Sequence, residues 1–560
     1  MATPSLAMIP SGYKASKVYS VLPESGVGDF DFTRATTATR INSSGLIEEM
    51  AINVPRLEYP LIDGVVNGCP SLILEPQRTN FITYSSDFPR NYWTKSGATI
   101  QGDSSTLGSE LVTNGSFTGS ASGWALGSGW AYSSNAINAT STSSVCYQDI
   151  AAMQSNITYT VTYQISNYSG GNIQWRFGGT GTVDGATRNA NGTYTESFTN
   201  SSSGDKRLFL SPSGFTGTID NVSVKETQGF TSPDGTTNAY KLVEDTSNGQ
   251  HQIFPTSSSG TDAVRTISFF VKMDGVSKIG IRNNDGKYIT YDIVNNTTLD
   301  KTITNDIVSS DFNNGWKKLS ITWDSTTVIT GARIFLLNDA YTSGNPLTYS
   351  YTGDGTSGVY LFGAQVEEGS FQTSYIPTNG STTTRNAETC TGAGNAATFS
   401  DSEGVLMVEA ATLVELLTQN HIISIHDGTT NNRVRIYWRE DVPSELIFSV
   451  FDGGVLIYTY TTTSIALDDM NKVCLRYGSN NFSAWANGFK LDEQTSGGSL
   501  SLQLNTLDFN KAIGSASNAF YGNTKQIQYY NSVLTESELE KLTSWTSFSD
   551  MANGQQYSII

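Results

Sequence analysis

Aromatic side chains that can stack on sugar rings occur at four positions in one stretch of the chain: Trp124, Trp130, Tyr147 and Trp175. Trp175 shares a period of two with its apolar neighbours, which predicts that it faces the core of a β-sheet. Gln174 and Arg176 then lie on the opposite face, where an amide and a guanidinium can bind hydroxyl groups. We therefore predict that Tyr147, Gln174 and Arg176 bind glycan, and that Trp124 and Trp175 belong to the core.

The chain offers little that could catalyse a reaction. Glycan hydrolysis on a β-sandwich requires paired carboxylates, and no E-x-D-x-x-E motif occurs. His421 and His426 have no Ser or Cys partner in a nucleophile elbow. Glu536, Glu538 and Glu540 are explained by capping and dipole effects in a terminal helix. We expect the protein not to be an enzyme.

Charge and cysteine content exclude several partners. The net charge of −18 disfavours binding to nucleic acid and to anionic membranes. It leaves carboxylates that can hold calcium, although no cofactor is required. The four cysteines are scattered without a CxxC pair, which suits folding in a reducing cytoplasm. The N-terminus lacks a signal-peptide core, and no apolar run is long enough for membrane insertion.

The composition predicts an all-β protein made of serial β-sandwich or jelly-roll domains. Charged residues make up only 15% of the chain and aromatic residues 11%, with many Gly, Ser, Thr and Asn. Alternation is clear at 159–163, 173–177 and 433–438. Thr535 and Glu538 form a capping-box pattern, which predicts one short helix near 536–543.

The same patterns divide the chain into five regions. Residues 1–80 are irregular and then strand-like, with too little patterned apolar sequence for a core of their own. The others are a sandwich formed by 81–106 and 228–378, a jelly roll at 107–227 inserted into it, a linker at 379–399, and a last sandwich at 400–560.

Several motifs resemble known families. The stretches DFTRATTATRIN, GLIEE, PRLEY and LILEPQRTNFITYSSDF, together with YTGDGTSGVYLFGAQVEEGSFQTSYIPT, resemble bacteriophage tail and virion proteins. GVLMVEA, AWANG and IQYYNSVLTESELEKL resemble laminin-G-like, concanavalin A-like jelly rolls. ELVTNGSF, YQDI and IDNVSV resemble carbohydrate-binding modules.

The phage resemblance implies the insertion. In those proteins the YWTK strand is followed closely by a strand like PDGTTNAYKLVED, whereas here the whole of 107–227 separates them. Jelly-roll ends lie near each other and exposed turns tolerate insertions. We therefore expect Trp93–Ile100 to share a sandwich with Asn238–Val243, and Glu110–Val112 to neighbour Val222–Val224.

The resemblances also imply candidate metal ligands and an assembly. Related carbohydrate-binding modules hold structural calcium where Asp220 lies, although Thr118 leaves that ligand set incomplete. Laminin-G-like domains bind calcium at a rim, where Asp452, Asp468 and Asp469 are candidates. Phage fibres and spikes of this type are commonly homotrimers, so we expect a trimer.

Three hypotheses about function follow. The first is a phage tail fibre or spike component on the virion surface, made in the bacterial cytoplasm, that adsorbs to host polysaccharide or a receptor and joins portal, tail or capsid proteins. The second is a head fibre or capsid decoration protein with a purely structural role. The third is a polysaccharide depolymerase. Residues 1–80 are expected to anchor the protein to the particle.

Overall fold

A computed structural model describes residues 2–154, 157–178, 183–200, 206–256, 264–283, 286–323, 333–413, 420–439, 444–511 and 518–545. The chain is 53% strand and 3% helix, which confirms the all-β prediction. Besides two single-turn 3-10 segments, Asn313–Gly315 and Pro346–Thr348, the described residues contain one helix, Glu536–Thr543. Both halves of the predicted capping box are made between Thr535 and Glu538. No helix in the described ranges is long and apolar enough to cross a membrane.

The central sandwich consists of two six-stranded antiparallel sheets in the described part of the chain. The first has the strand order Trp93–Ser96, His251–Pro255, Arg333–Leu337, Lys278–Arg282, Tyr288–Asp292 and Thr297–Lys301. The second has the order Ala98–Gln101, Tyr240–Glu244, Gly358–Glu368, Arg265–Asp274, Trp316–Trp323 and Val308–Phe312. Ile100 lies opposite Leu242, and Trp93 shares a core with Leu242. The predicted pairing of these two distant segments is therefore confirmed.

The inserted sandwich is built around two long bent strands, Thr158–Phe177 and Arg207–Thr227. These two strands pair with each other and with shorter ones: Leu107–Glu110, Ala136–Thr142, Cys146–Asp149, Val183–Asp184 and Gly192–Thr199, while Trp130–Ser133 pairs with Ala136–Thr142. Glu110 lies opposite Lys225, and the Leu111 amide donates to the Val224 carbonyl, as predicted for the two ends of this unit.

The chain enters and leaves the inserted sandwich side by side. The Asp103 amide donates to the carbonyl of Gln228 at 2.9 Å, and the Gln228 amide donates to the carbonyl of Thr106 at 2.9 Å. Trp124, Trp130 and Trp175 are all buried in a core made only of residues from this unit. The segment therefore closes its own core, as an inserted domain must.

The C-terminal sandwich has a second sheet of its own but borrows strands for the first. The second sheet has the order Val455–Thr462, Glu445–Asp452, Arg433–Arg439, Asn420–His426 and Thr506–Asp508. The first has the order Phe489–Gln494, Phe482–Ala486, Asn471–Tyr477, Gly404–Thr412, Gly522–Tyr530, Ser71–Leu74 and Arg56–Glu58, with Leu6–Met8 also paired to Gly522–Tyr530. Helix Glu536–Thr543 covers its outer side through Leu539 and Leu542. The tail 546–560 of the predicted 400–560 domain lies outside the described residues.

Residues 1–80 have no core of their own, as expected, but they do not form a separate region. Leu6, Met8, Leu72 and Leu74 are buried in the core of the C-terminal sandwich. The separate region was wrongly predicted because each of these strands is too short to show its period, and their partners Tyr529 and Thr524 lie far along the chain. Short paired strands complete the N-terminal part of the fold: Tyr13–Lys14, Lys17–Val18, Phe30–Thr33, Ala38–Ile41, Ile47–Met50, Leu61–Ile62 and Val65–Val66. Another short pair, Asn248–Gly249 with Tyr351–Thr352, lies within 228–378.

The expected linker at 379–399 is structured as well. Strand Thr383–Arg385 pairs with Arg78–Asn80, and strand Thr389–Thr391 pairs with Phe30–Thr33. Glu388, between them, is fully buried. The Thr, Asn and Gly content of this segment resembles that of a loop, but pairing with the N-terminal strands satisfies its backbone.

A buried ion network joins these segments. Glu388 accepts from Arg34 at 2.7 Å and from Arg56 Nε at 2.8 Å, and the Glu75 carboxylate lies 2.8 Å from Arg56 and 2.7 Å from Arg385. Burial alone would raise the pKa of Glu75, but Arg385, Arg56 and bonds from Ser374 outweigh it and lower the pKa to about 2. Arg34, Arg56 and Glu75, from three separate N-terminal stretches, thus meet Arg385 and Glu388 in one place.

Candidate functional site

Three strands of the inserted sandwich place the predicted glycan-binding residues on one outward face. Tyr147 lies opposite Phe209, and Arg176 lies opposite Phe209 on its other side, so the three side chains form a row across the sheet. Gln174 lies two residues before Arg176 on the same face, and Arg207 two residues before Phe209. We call these five residues the aromatic strip.

Alternation along each strand explains why these side chains face outward. Cys146, Leu208, Leu210, Trp175 and Phe177 flank the strip residues in sequence and are all buried in the core. Because successive residues of a strand point to opposite faces, the residues between them must face solvent. All five strip residues are half-exposed.

The strip is held together by ring and cation contacts. The rings of Tyr147 and Phe209 lie 5.4 Å apart between centroids. The Arg207 guanidinium lies 5.0 Å from the Phe209 ring and 5.4 Å from the Tyr147 ring. These are cation–π distances, so the guanidinium and the two rings restrain one another at the surface.

Arg176 and Gln174 are restrained from the neighbouring strand and loop. Arg176 makes two bonds to Asp184, at 2.8 and 3.2 Å, and this bonding raises the pKa of Arg176. The Gln174 side-chain oxygen accepts from the Thr187 hydroxyl at 3.1 Å. Ionic and amide groups thus border one side of the two rings, in fixed orientation.

The sequence prediction named Tyr147, Gln174 and Arg176, and the fold brings these three together. It missed Phe209 and Arg207. A signal for both was present, because Arg207-Leu208-Phe209-Leu210 alternates polar or aromatic residues with leucines. Stacking of a sugar on Trp124, Trp130 or Trp175 is not possible, since all three rings are buried.

The predicted calcium ligands are not gathered into a cluster. Asp220 accepts from the Asn221 amide at 2.6 Å, and Asp452 accepts from the Ser501 amide at 2.8 Å. Asp468 is exposed, and Asp469 lies beside it. Among the described residues, no group of three or more His, Cys, Asp or Glu side chains is arranged to hold a metal ion. The Asp220 bond is local, whereas the Asp452 bond joins two segments that are distant in sequence.

Solved structures resemble parts of this chain. The CBM40 module of the Ruminococcus gnavus IT-sialidase matches at 17% identity and a TM-score of 0.24, covering 27% of this chain and 88% of that one. The tandem CBM22-1–CBM22-2 domains of Paenibacillus barcinonensis Xyn10C match at 12% and 0.23, covering 47% and 98%. Domains LG4-5 of the mouse laminin alpha1 chain match at 10% and 0.18, covering 49% and 84%. A scan against family models and a search of curated proteins gave no match.

Proposed function

We propose that this chain is a bacteriophage virion-surface protein that adsorbs to glycans of the host cell, with the aromatic strip as its contact surface. The observation that carries the proposal is the row of Tyr147, Phe209 and Arg176 across one exposed sheet face. The Tyr147 and Phe209 rings are half-exposed on the sheet face opposite the core, and this position on a regular sheet suits a binding surface.

The chemistry of the strip matches that of a sugar ring. The apolar face of a pyranose can pack on the Tyr147 and Phe209 rings, which bury apolar area with little loss of side-chain freedom. Gln174 and Arg176 border the rings with groups that hydrogen-bond to hydroxyls. The face is open and lacks deep walls, so each site is expected to bind weakly, and many copies on one particle raise the avidity.

The phage assignment is supported by the motifs at 31–95 and 351–378. Their charged residues Arg34, Arg56 and Glu75 enter the buried network with Arg385 and Glu388. Removal of one partner from a buried network of this kind destabilises a fold, so the resemblance extends to residues with a structural role. We propose that residues 1–80 face the portal, tail or capsid partner, and that the assembled form is a trimer.

A glycan array probed with the purified full-length chain tests the binding proposal. The double substitution Tyr147→Ala and Phe209→Ala should lower affinity for the bound glycan at least tenfold, because stacking is lost. Phe489→Ala is the matched control, since Phe489 is 73% exposed on the C-terminal sandwich. Equal binding by the double variant and the control would refute the strip as the site.

The second candidate function is that of a spacer in a head fibre or capsid decoration. The buried network favours it, because it ties residues 1–80 to segments 365–388 and makes the two sandwiches mechanically continuous. An array without any bound glycan, together with density for the chain in a cryo-EM map of the virion, would select this function. Release of reducing sugar from a bound polysaccharide would be needed to support depolymerase activity.

A further inference from the structure

A pocket of about 300 Å³ lies in the central sandwich, beside the point where the inserted sandwich departs. Three segments form it: 85–90, 234–240 and 375–379, with Phe362 beneath them. We call it the neck pocket. It belongs to a different domain from the aromatic strip. None of the glycan-binding or calcium-binding residues predicted from the sequence lines it.

The floor of the neck pocket is aromatic and rigid. Phe362 and Tyr375 are buried, with their ring centroids 5.3 Å apart. The Tyr375 hydroxyl is bonded to Ser85 at 2.6 Å and to Ser86 at 2.9 Å, which fixes the ring. Half-buried Tyr240 adds an aromatic wall. A flat apolar group of about the size of one ring can therefore rest here.

The rim of the pocket carries a carboxylate, an amide and a guanidinium. Asp87 accepts from Arg90 Nε, and the Arg90 guanidinium lies 4.9 Å from the Tyr84 ring, which holds it in place. Asn238 donates to the carboxylate of Asp234 at 3.1 Å. The remaining side-chain oxygens of Asp87 and Asn238 are buried atoms, and neither has a hydrogen-bond partner among the described residues.

Two acceptors without donors beside an aromatic floor call for a ligand with hydroxyl groups and an apolar face. A metal ion does not fit, because the positive charge of Arg90 lies in the rim and no three-member ligand group is present in the described ranges. We propose that the neck pocket binds a single hexose-type sugar residue. Its hydroxyls donate to Asp87 and Asn238, while one ring face packs on the aromatic floor.

Arg90 links this site to the inserted sandwich. Its Nη2 donates to the side-chain oxygen of Gln154, a residue of that sandwich, at 3.0 Å. A sugar that engages Arg90 competes for the same guanidinium. The proposal itself does not depend on the aromatic strip, since the two sites share no residue.

The test is a saturation-transfer NMR titration of the full-length chain with methyl glycosides of glucose, galactose, mannose and N-acetylglucosamine. The starting protein carries Tyr147→Ala and Phe209→Ala, so the strip cannot contribute. Saturable binding of at least one glycoside is expected. Adding Asn238→Ala should weaken it at least tenfold, because an acceptor is removed.

Asn248→Ala is the matched control, since Asn248 is an exposed residue of the same sandwich. It should leave the affinity unchanged. Tyr240→Ala is a second pocket variant, which keeps the test decisive if Asn238→Ala unfolds. Absence of saturable binding for all four glycosides would overturn the proposal, as would equal affinities in the pocket variants and the control. Failure of the strip on the glycan array leaves this result unaffected.

Discussion

The inserted sandwich and the C-terminal sandwich assemble their hydrophobic cores in opposite ways. The inserted one draws every core residue from one continuous segment, including Trp124, Trp130 and Trp175. The C-terminal one takes strands Leu6–Met8 and Ser71–Leu74 from the far end of the chain. A continuous unit can be exposed and varied without disturbing its neighbours, whereas a composite one couples both chain ends to one unfolding event.

The two sandwiches also differ in where their polar side chains lie. In the inserted sandwich the aromatic and cationic side chains of the strip stay at the surface, half-exposed. Near the C-terminal sandwich the charges of Arg34, Arg56 and Glu388 are buried and paired. Buried pairs are costly to break, while exposed ones contribute little. The inserted sandwich is therefore suited to binding a ligand, and the C-terminal sandwich to holding distant segments of the chain together.

The most disruptive test of this contrast is deletion of residues 2–74. Three strands would leave the first sheet of the C-terminal sandwich, and Phe30 and Phe32 would leave its core, so we expect its cooperative unfolding transition to disappear. The inserted sandwich should keep its own transition, because its core is independent. Differential scanning calorimetry would distinguish the two. A C-terminal transition that survives the deletion would contradict the composite core.

Glu388→Gln probes the ion network with one substitution. It removes the carboxylate that pairs with buried Arg34 and one of the two that pair with buried Arg56, and we expect a loss of about 3–5 kcal/mol in unfolding free energy. Glu48→Gln is the control, because Glu48 pairs with Arg40 with 42% of its side chain exposed, and should cost less than about 1 kcal/mol. Urea denaturation of both variants provides the comparison. Equal losses of unfolding free energy in the two variants would show that the buried network contributes no more to stability than an exposed ion pair.

Glu58 is expected to make the free energy of unfolding depend on pH with the opposite sign from Glu75. Burial and the Glu75 charge raise the pKa of Glu58 to about 7, so the folded state holds a proton that the unfolded state releases. Its contribution to stability is complete below pH 4.5 and is lost as the pH rises through 7.

Replacement of Glu58 by Gln should therefore stabilise the protein by about 1 kcal/mol at pH 8 and leave it unchanged at pH 4. Unfolding free energies of both proteins measured at these two pH values would check the result. For Glu75, whose pKa is lowered to about 2, stability is instead lost as the pH falls below 4.5. A stabilisation by Glu58→Gln that is equal at both pH values would show that the carboxyl does not titrate in this range.

The smallest effect is expected from excision of 107–227. Because Asp103 and Gln228 are already hydrogen-bonded neighbours, a short turn can join them without strain. The unfolding temperature of the central sandwich should change little, and glycan binding by the strip should be lost. Unfolding of the central sandwich after excision would show that the insert supports it. Retained binding would place the glycan site elsewhere.

Sequence alone determined the features that depend on neighbours along the chain. The period of two around Trp175 predicted both the buried ring and the exposed Gln174 and Arg176, because alternation in a strand is local. The capping box at Thr535 and Glu538 predicted the helix for the same reason. The insertion followed from the distance between two motifs that resemble adjacent strands, and the pairing of Ile100 with Leu242 confirmed it.

Tertiary structure decided everything that rests on contacts between distant segments. Strands of three or four residues, such as Leu6–Met8, carry too few positions to show a period, and nothing nearby indicates their partner across more than five hundred residues. The composition of 379–399 is that of a loop, yet Glu388 within it is buried and bonded to two guanidiniums and a backbone amide from three remote segments. Phe209 joined Tyr147 only through strand register, which is set by the packing of a whole sheet.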